Sequence, residues 1–369
     1  MEPLRNSRAR AAGVVAAGAV LALLISSCSS DGSGDGTEPS ATGSMSATAS
    51  PSETSSATES RAATASASAS PGPSGTTPGA TPTGPVVAER DEPLVQRVSY
   101  PVRGTADPSQ NWGDLYLPAG KHAEKSVPLV VLIHGGSWQD QAGAKDFESY
   151  AESLVDRGMA VYNIEYRRVG SGGGWPTTFT DVASALDFVP ELSRQHPEFT
   201  TDDELVVGHS AGAQLAMWSG TRDSAEEHEL GAHPKFVPTR VVSLAGPLDM
   251  VYAAEHGDDR IEKVLGGTPQ QVPERYSDVD PIQNIDTTLP VVAIHGTKDT
   301  TVAPENSRRY IDAVTQQGGQ GSLHLMDGED HGSLIDAKSS HYDEILDLID
   351  QTADAPVERV ASASATPGG

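Results

Sequence analysis

From residue 127 onward the chain carries short, mostly apolar runs rich in β-branched residues, at 127–133, 160–164, 205–207, 241–244, 291–294 and 323–326. Runs of this length without regular polar alternation mark strands covered on both faces. Between them apolar residues recur at helical spacing over 147–157, 180–192, 211–220 and 306–315. Buried strands alternating with helices predict an α/β fold, a mostly parallel sheet with helices on both faces. Two earlier stretches, 95–100 and 111–117, read as antiparallel strands at one edge. Sheets of this kind bind ligands beyond the carboxyl ends of their strands. The turns that follow each run are therefore where chemistry is sought.

The first ninety residues follow a different pattern. Arg5, Arg8 and Arg10 precede an unbroken run of small and apolar residues over 11–25. At fifteen residues the run is short for a membrane-spanning helix, which needs about twenty. A basic start followed by a short apolar stretch is the pattern of an export signal, assigned to residues 1–27. Cys28 is the only cysteine, so no disulfide forms within the chain. Residues 29–87 are almost wholly Ser, Thr, Ala, Gly and Pro. Such a stretch buries too little apolar surface to offset the entropy of ordering. Residues 28–90 are read as a disordered tether, 91–352 as one folded domain, and 353–369 as a loose tail.

Charge narrows the function. The chain has 51 acidic and 25 basic residues, a formal net charge of −26. That surface repels phosphate backbones, so no nucleic-acid partner is expected. No C-x-x-C or His-x-x-x-His pair proposes a metal site. The run Ser171-Gly172-Gly173-Gly174 lacks the Lys-Ser or Lys-Thr of a phosphate cradle. It reads as a mobile loop near a pocket mouth, with Trp175 lining it.

After the run 205–207 comes Gly208-His209-Ser210-Ala211-Gly212 and then an apolar helix. This is G-x-S-x-G between strand and helix, the setting in which a serine is held exposed on a sharp turn. Side chains two positions either side of Ser210 would collide with strand and helix, so both are glycine. His209 is read as a packing residue. Upstream, the run 127–133 ends in His134-Gly135-Gly136-Ser137-Trp138. The N–H of Gly136 or Ser137, together with that of Ala211, is assigned to an oxyanion hole.

These two motifs, HGGSW and then GHSAG, resemble the esterase and kynurenine-formamidase-like branch of the α/β-hydrolase superfamily. The pattern is also similar to feruloyl and acetyl xylan esterases and, more remotely, to the prolyl oligopeptidase group. The likeness spans about residues 94–348 and takes in Glu165-Tyr166-Arg167 and Trp175-Pro176 with Asp181. It implies an α/β-hydrolase fold and hydrolysis of an ester or amide of a small molecule, with no metal or organic cofactor. In that fold the order along the chain is serine, acid, histidine. The turn His295-Gly296-Thr297-Lys298-Asp299 and the turn Gly328-Glu329-Asp330-His331-Gly332 follow the last two runs. The resemblance makes Asp299 the acid and His331 the base, with Asp249 as rival acid. His134, His295 and Asp181 are read as loop-stabilising. Ester cleavage through an acyl-enzyme is the leading expectation. Amidase or peptidase chemistry is the alternative, and a catalytically dead binding protein a third. Finally, Ile25-Ser26-Ser27-Cys28 resembles the lipobox of bacterial lipoproteins. That implies lipidation at Cys28 and a place on the outer face of the cell membrane, with secretion as the alternative.

Overall fold

A computed structural model of the chain describes residues 84–200, 204–224 and 230–354. The export signal, Cys28, the tether up to residue 83 and the tail beyond residue 354 lie outside the described residues.

Ten strands are described: β1 (Val86–Arg90), β2 (Leu94–Ser99), β3 (Trp112–Leu117), β4 (Gly120–Ala123), β5 (Leu129–Ile133), β6 (Ala160–Ile164), β7 (Leu205–His209), β8 (Arg240–Leu244), β9 (Val291–Gly296) and β10 (Gly321–Met326). The helices between and after them are α1 (Glu148–Val155), α2 (Thr177–Leu186), α3 (Val189–Gln195), α4 (Ala211–Thr221), α5 (Met250–Glu255), α6 (Asp259–Leu265), α7 (Pro273–Val279), α8 (Glu305–Gln316) and α9 (Tyr342–Asp354).

Eight strands form one sheet in the order β10-β9-β8-β7-β5-β6-β3-β2. From β10 to β6 neighbouring strands run parallel. The edge pair β3 and β2 is antiparallel, as the earlier two stretches predicted. Alternation along β5 explains the layering. Leu129, Val131 and Ile133 enter a core that includes Phe179 of α2, Leu215 of α4 and Tyr310 of α8. Val130 and Leu132 enter another with Leu154 of α1 and Ile345 of α9. Helices therefore cover both faces, as expected.

α4 is buried on every side. Small residues make that possible: a Cβ on Gly220 would lie 2.2 Å from the Leu289 side chain. A helix enclosed in this way presents its first residue to the sheet edge without freedom to tilt.

Several boundaries differ from expectation. The tether was taken to residue 90, yet 86–90 form β1, which pairs with β4 in a separate two-stranded sheet. Val86 and Val87 are β-formers, and Arg90 donates to Glu198 at 2.5 Å. The tail was taken from residue 353, but α9 runs to Asp354 and Ala353 is buried. The single helix expected over 180–192 is two, because Pro190 cannot continue the hydrogen bonding of α2 and instead sits in the first turn of α3.

Candidate active site

Ser210 stands between β7 and α4 with φ 55° and ψ −122°. A non-glycine residue holds such angles only where its surroundings impose them. Here the imposition is visible. A Cβ on Gly208 would lie 2.1 Å from the Gly212 carbonyl oxygen, and one on Gly212 would lie 2.1 Å from that of Ile133. Strand and helix thus meet backbone to backbone, and the serine is squeezed outward at the turn. Its own N–H donates to the Leu244 carbonyl on β8 at 2.8 Å.

The turns after β9 and β10 bring two more side chains to this point. His331 Nε2 lies 2.8 Å from Ser210 Oγ, and its Nδ1 lies 2.7 Å from Asp299 Oδ2. Gly296 makes the approach possible: a Cβ there would lie 2.3 Å from the Glu329 carbonyl. Asp299 accepts three full bonds and a share of a fourth. His331 donates to Oδ2, and the N–H groups of Thr301 and Val302 donate to Oδ1 at 2.8 and 2.9 Å, while the Nε2–H of His295 is directed first to the Val302 carbonyl at 2.9 Å and lies 3.2 Å from Oδ2. Burial pushes this carboxyl up, but the bonds from His295 and His331 outweigh burial and hold it well below the usual carboxylate range. An ionised carboxylate only accepts, so Nδ1 of His331 carries the proton. Nε2 is then free to accept from the Ser210 hydroxyl.

The rival acid is occupied elsewhere. Asp249 caps α5 by accepting from Tyr252 N–H at 2.9 Å, and Arg309 donates to its other oxygen through Nε and Nη2, each at 2.7 Å.

The segment after β5 lies against the serine turn, in register with it through the pairing of Ile133 with Gly208. Gly136, Ser137 and Trp138 have φ of 107°, 59° and 55°, three successive left-handed residues. The N–H groups of Gly136 and Ser137 make no backbone hydrogen bond among the described residues. The N–H of Ala211, first in α4, has no partner within the helix. Two of the left-handed residues are not glycine, at a cost of roughly 1–2 kcal/mol each. What holds them is a set of buried bonds. Trp138 Nε1 donates to Gln214 Oε1 at 3.2 Å, and Gln214 Nε2 donates to the Val279 carbonyl at 2.8 Å. His134 stacks on Tyr166 with centroids 4.3 Å apart, lies 3.0 Å from Glu165 Oε1, and receives the Tyr166 hydroxyl on its carbonyl at 2.8 Å. Arg168 pairs with the same glutamate. Asp181 is held by a two-pronged pair with Arg167, both bonds 2.7 Å.

The structure thus brings Ser210, His331 and Asp299 together and sets Gly136, Ser137 and Ala211 at the adjoining turns. Cys28 lies outside the described residues. The glycine-rich run differs from expectation. Ser171 exchanges bonds with the Gln110 side chain at 2.7 and 2.8 Å, and Gly173 packs onto the Arg167 carbonyl, so the run is pinned. Trp175 lines a cavity of about 300 Å³ with Thr180, Asp187 and Arg222, whose walls do not include Ser210. His295 is loop-stabilising, as read: its Nε2 donates to the Val302 carbonyl at 2.9 Å in the turn that follows β9, and its Nδ1 lies 2.8 Å from Ser307 Oγ at the start of α8. Sequence reasoning gave His209 only a packing role, because its partner, the His331 carbonyl, is far away along the chain.

The BD-FAE family model matches residues 114–313, more than half of the chain. The chain belongs to the BD-FAE family. The BD-FAE match includes Ser210 and Asp299 and ends before His331. Relatives of this BD-FAE protein include an isoprenylcysteine alpha-carbonyl methylesterase of Arabidopsis thaliana, 24% identical, covering 66% of this chain and 60% of that protein. They also include the uncharacterized peptidase YtmA of Bacillus subtilis, 31% identical, covering 55% of this chain and 68% of that protein. The BD-FAE chain spans little more than half the length of the methylesterases it matches. Among solved structures, esterase B from Lactobacillus rhamnosis superposes with a TM-score of 0.61 at 20% identity, over 74% of this chain and 90% of that one. The fold is that of the α/β hydrolases.

Proposed function

We propose that the chain is a carboxylic-ester hydrolase working through an acyl-enzyme, with Ser210 as nucleophile, His331 as base and Asp299 as acid. The observation that carries the reading is the unbroken relay from Asp299 through His331 to Ser210, at 2.7 and 2.8 Å. Neutral serine is a poor nucleophile. As Oγ attacks the substrate carbonyl, Nε2 of His331 takes its proton, and Asp299 stabilises the imidazolium through Nδ1–H. The developing oxyanion lies at the head of α4, where the Ala211 N–H and that of Gly136 or Ser137 receive it. Each such donor is typically worth about 10²–10³ in rate. His331 then returns the proton to the leaving alcohol, and water enters by the same route reversed to release the acid. Names of the relatives support an ester bond as the target: a methylesterase and, on the same fold, a bacterial esterase.

The test is Ser210→Ala. It is expected to lower kcat for p-nitrophenyl acetate by roughly 10⁴–10⁶ with an unchanged melting curve. Turnover near the unsubstituted level would overturn the reading. A second reading, an amidase or peptidase, is favoured by the likeness to YtmA. The same relay serves it, and acetyl esters assayed beside formyl-amide and aminoacyl-anilide substrates separate the two.

The N-terminal pattern supports an exported protein held on the outer face of the membrane by lipid at Cys28. Labelled fatty acid is expected to enter the full chain and to be lost in Cys28→Ser. Equal labelling of both chains would sink the anchor.

A further inference from the structure

His209 ends β7, directly before Ser210, and is buried. Its Nε2 lies 2.8 Å from the carbonyl oxygen of His331. A carbonyl only accepts, so Nε2 carries the proton and His209 is the donor. The residue that precedes the nucleophile is therefore bonded to the backbone of the residue that would activate it.

The sheet order shows why that bond matters. β10, which leads to His331, stands three places from β7, with β9 and β8 between them. At about 4.8 Å per place, the base must be carried roughly 14 Å across the sheet edge to reach Ser210. Most polar ties of its loop are local. Asp330 accepts from the N–H groups of Gly332 and Ser333, and Ser333 Oγ accepts from Asp330 N–H. The Nδ1 bond to Asp299 reaches only the turn after β9. Among the described residues, the bond from His209 is the one that fastens the backbone of His331 to the nucleophile's own strand.

The imidazole of His209 is given room for this. A Cβ on Gly135 would lie 3.0 Å from its Nδ1 and 2.8 Å from its carbonyl oxygen. The first glycine after His134 thus clears space for a ring as well as turning the chain. The ring centroids of His209 and His331 are 4.8 Å apart. A second cation at that distance would oppose the imidazolium that forms on His331. Burial first, and the facing His331 second, hold His209 down to about 3, while Asp299 pulls the other way and His295 adds to the fall. It stays neutral through the working range, so it donates one proton and competes for none.

We propose that His209 is a positioning residue, whose N–H bond to the His331 carbonyl holds the base within reach of Ser210 while leaving its side chain free to pass the proton. This rests on the roles given above to Ser210 and His331. Fixing the backbone and not the ring suits a group that must accept from one oxygen and then donate to another.

The test compares His209→Gln with His209→Met. The two side chains match in length and volume, and only the first keeps an N–H donor. With p-nitrophenyl acetate, the methionine variant is expected to lose about 10- to 100-fold in kcat with KM changed less than about twofold, the signature of a displaced base. The glutamine variant is expected to stay within about threefold of the unsubstituted enzyme in both. Equal kcat in two folded variants, or a fall confined to KM, overturns the proposal. If the methionine variant does not fold, His209→Phe, which keeps a ring and loses the donor, is judged by the same criteria. Ser210→Ala assayed alongside separates the two levels. An inactive Ser210→Ala with equal glutamine and methionine variants sinks only the role of His209, whereas an active Ser210→Ala sinks both.

Discussion

Asp299 accepts three hydrogen bonds on its two oxygens, with His295 beside it, and that setting decides how it behaves. Replacing it by asparagine turns an acceptor into a group with an amide that faces His331. Nδ1 must then accept, and Nε2 takes the proton it should receive from Ser210. Asp299→Asn is expected to lower kcat by about 10⁴. Asp249→Ala loses a helix cap and a partner of Arg309, and is expected to leave kcat within about threefold while lowering stability by about 1 kcal/mol. Parallel assays and urea melts of the two check this, and similar kcat losses would contradict the assignment. The depressed carboxyl of Asp299 adds stability above the ordinary range near pH 4 and gives it up only as pH falls through its folded value. It contributes no slope between pH 5 and 9. The motif residues were legible because glycines and strand ends announce the turns they occupy. His209 was not, since the carbonyl it bonds belongs to a turn that is its neighbour only in three dimensions.

At the scale of elements, the strands of the parallel sheet were readable from β-branched runs, but three helices between β8 and β9 were not. α5, α6 and α7 have six, seven and seven residues, too few turns for a period to emerge. Their arrangement depends on Asp280 at the end of α7. It accepts from the Met250 N–H at the head of α5 at 2.9 Å and from the Gln283 amide at 2.9 Å. Burial pushes its carboxyl up to about 7, against those bonds, and the neighbouring Asp249 adds to the rise. The folded chain therefore holds a proton that the unfolded chain releases near pH 4. Stability from this group is complete below about pH 4, declines as pH rises towards 7 by at most about 1.4 kcal/mol per pH unit, and is flat above. Asp280→Asn keeps the acceptor without the charge. Its melting temperature is expected to fall less steeply than that of the unsubstituted chain between pH 5 and pH 7.5. Parallel curves for the two proteins would refute this.

Across the whole molecule, a local pattern reveals which segments are strands but not who stands beside whom. That Ser210 would find the Leu244 carbonyl on one side and the glycine turn after β5 on the other follows from β7 lying between β8 and β5. No spacing in the chain encodes that order. The same limit explains the misplaced start of the domain, because β1 is recognisable only through its partner β4. That partnership is also mechanical. β1 shares no ladder with the eight-stranded sheet, and Arg90 at its end is fastened to Glu198. A pull entering the described fold at residue 86 is therefore borne first by that short ladder and by one ion pair, and not by the hydrogen bonds of the sheet that carries Ser210.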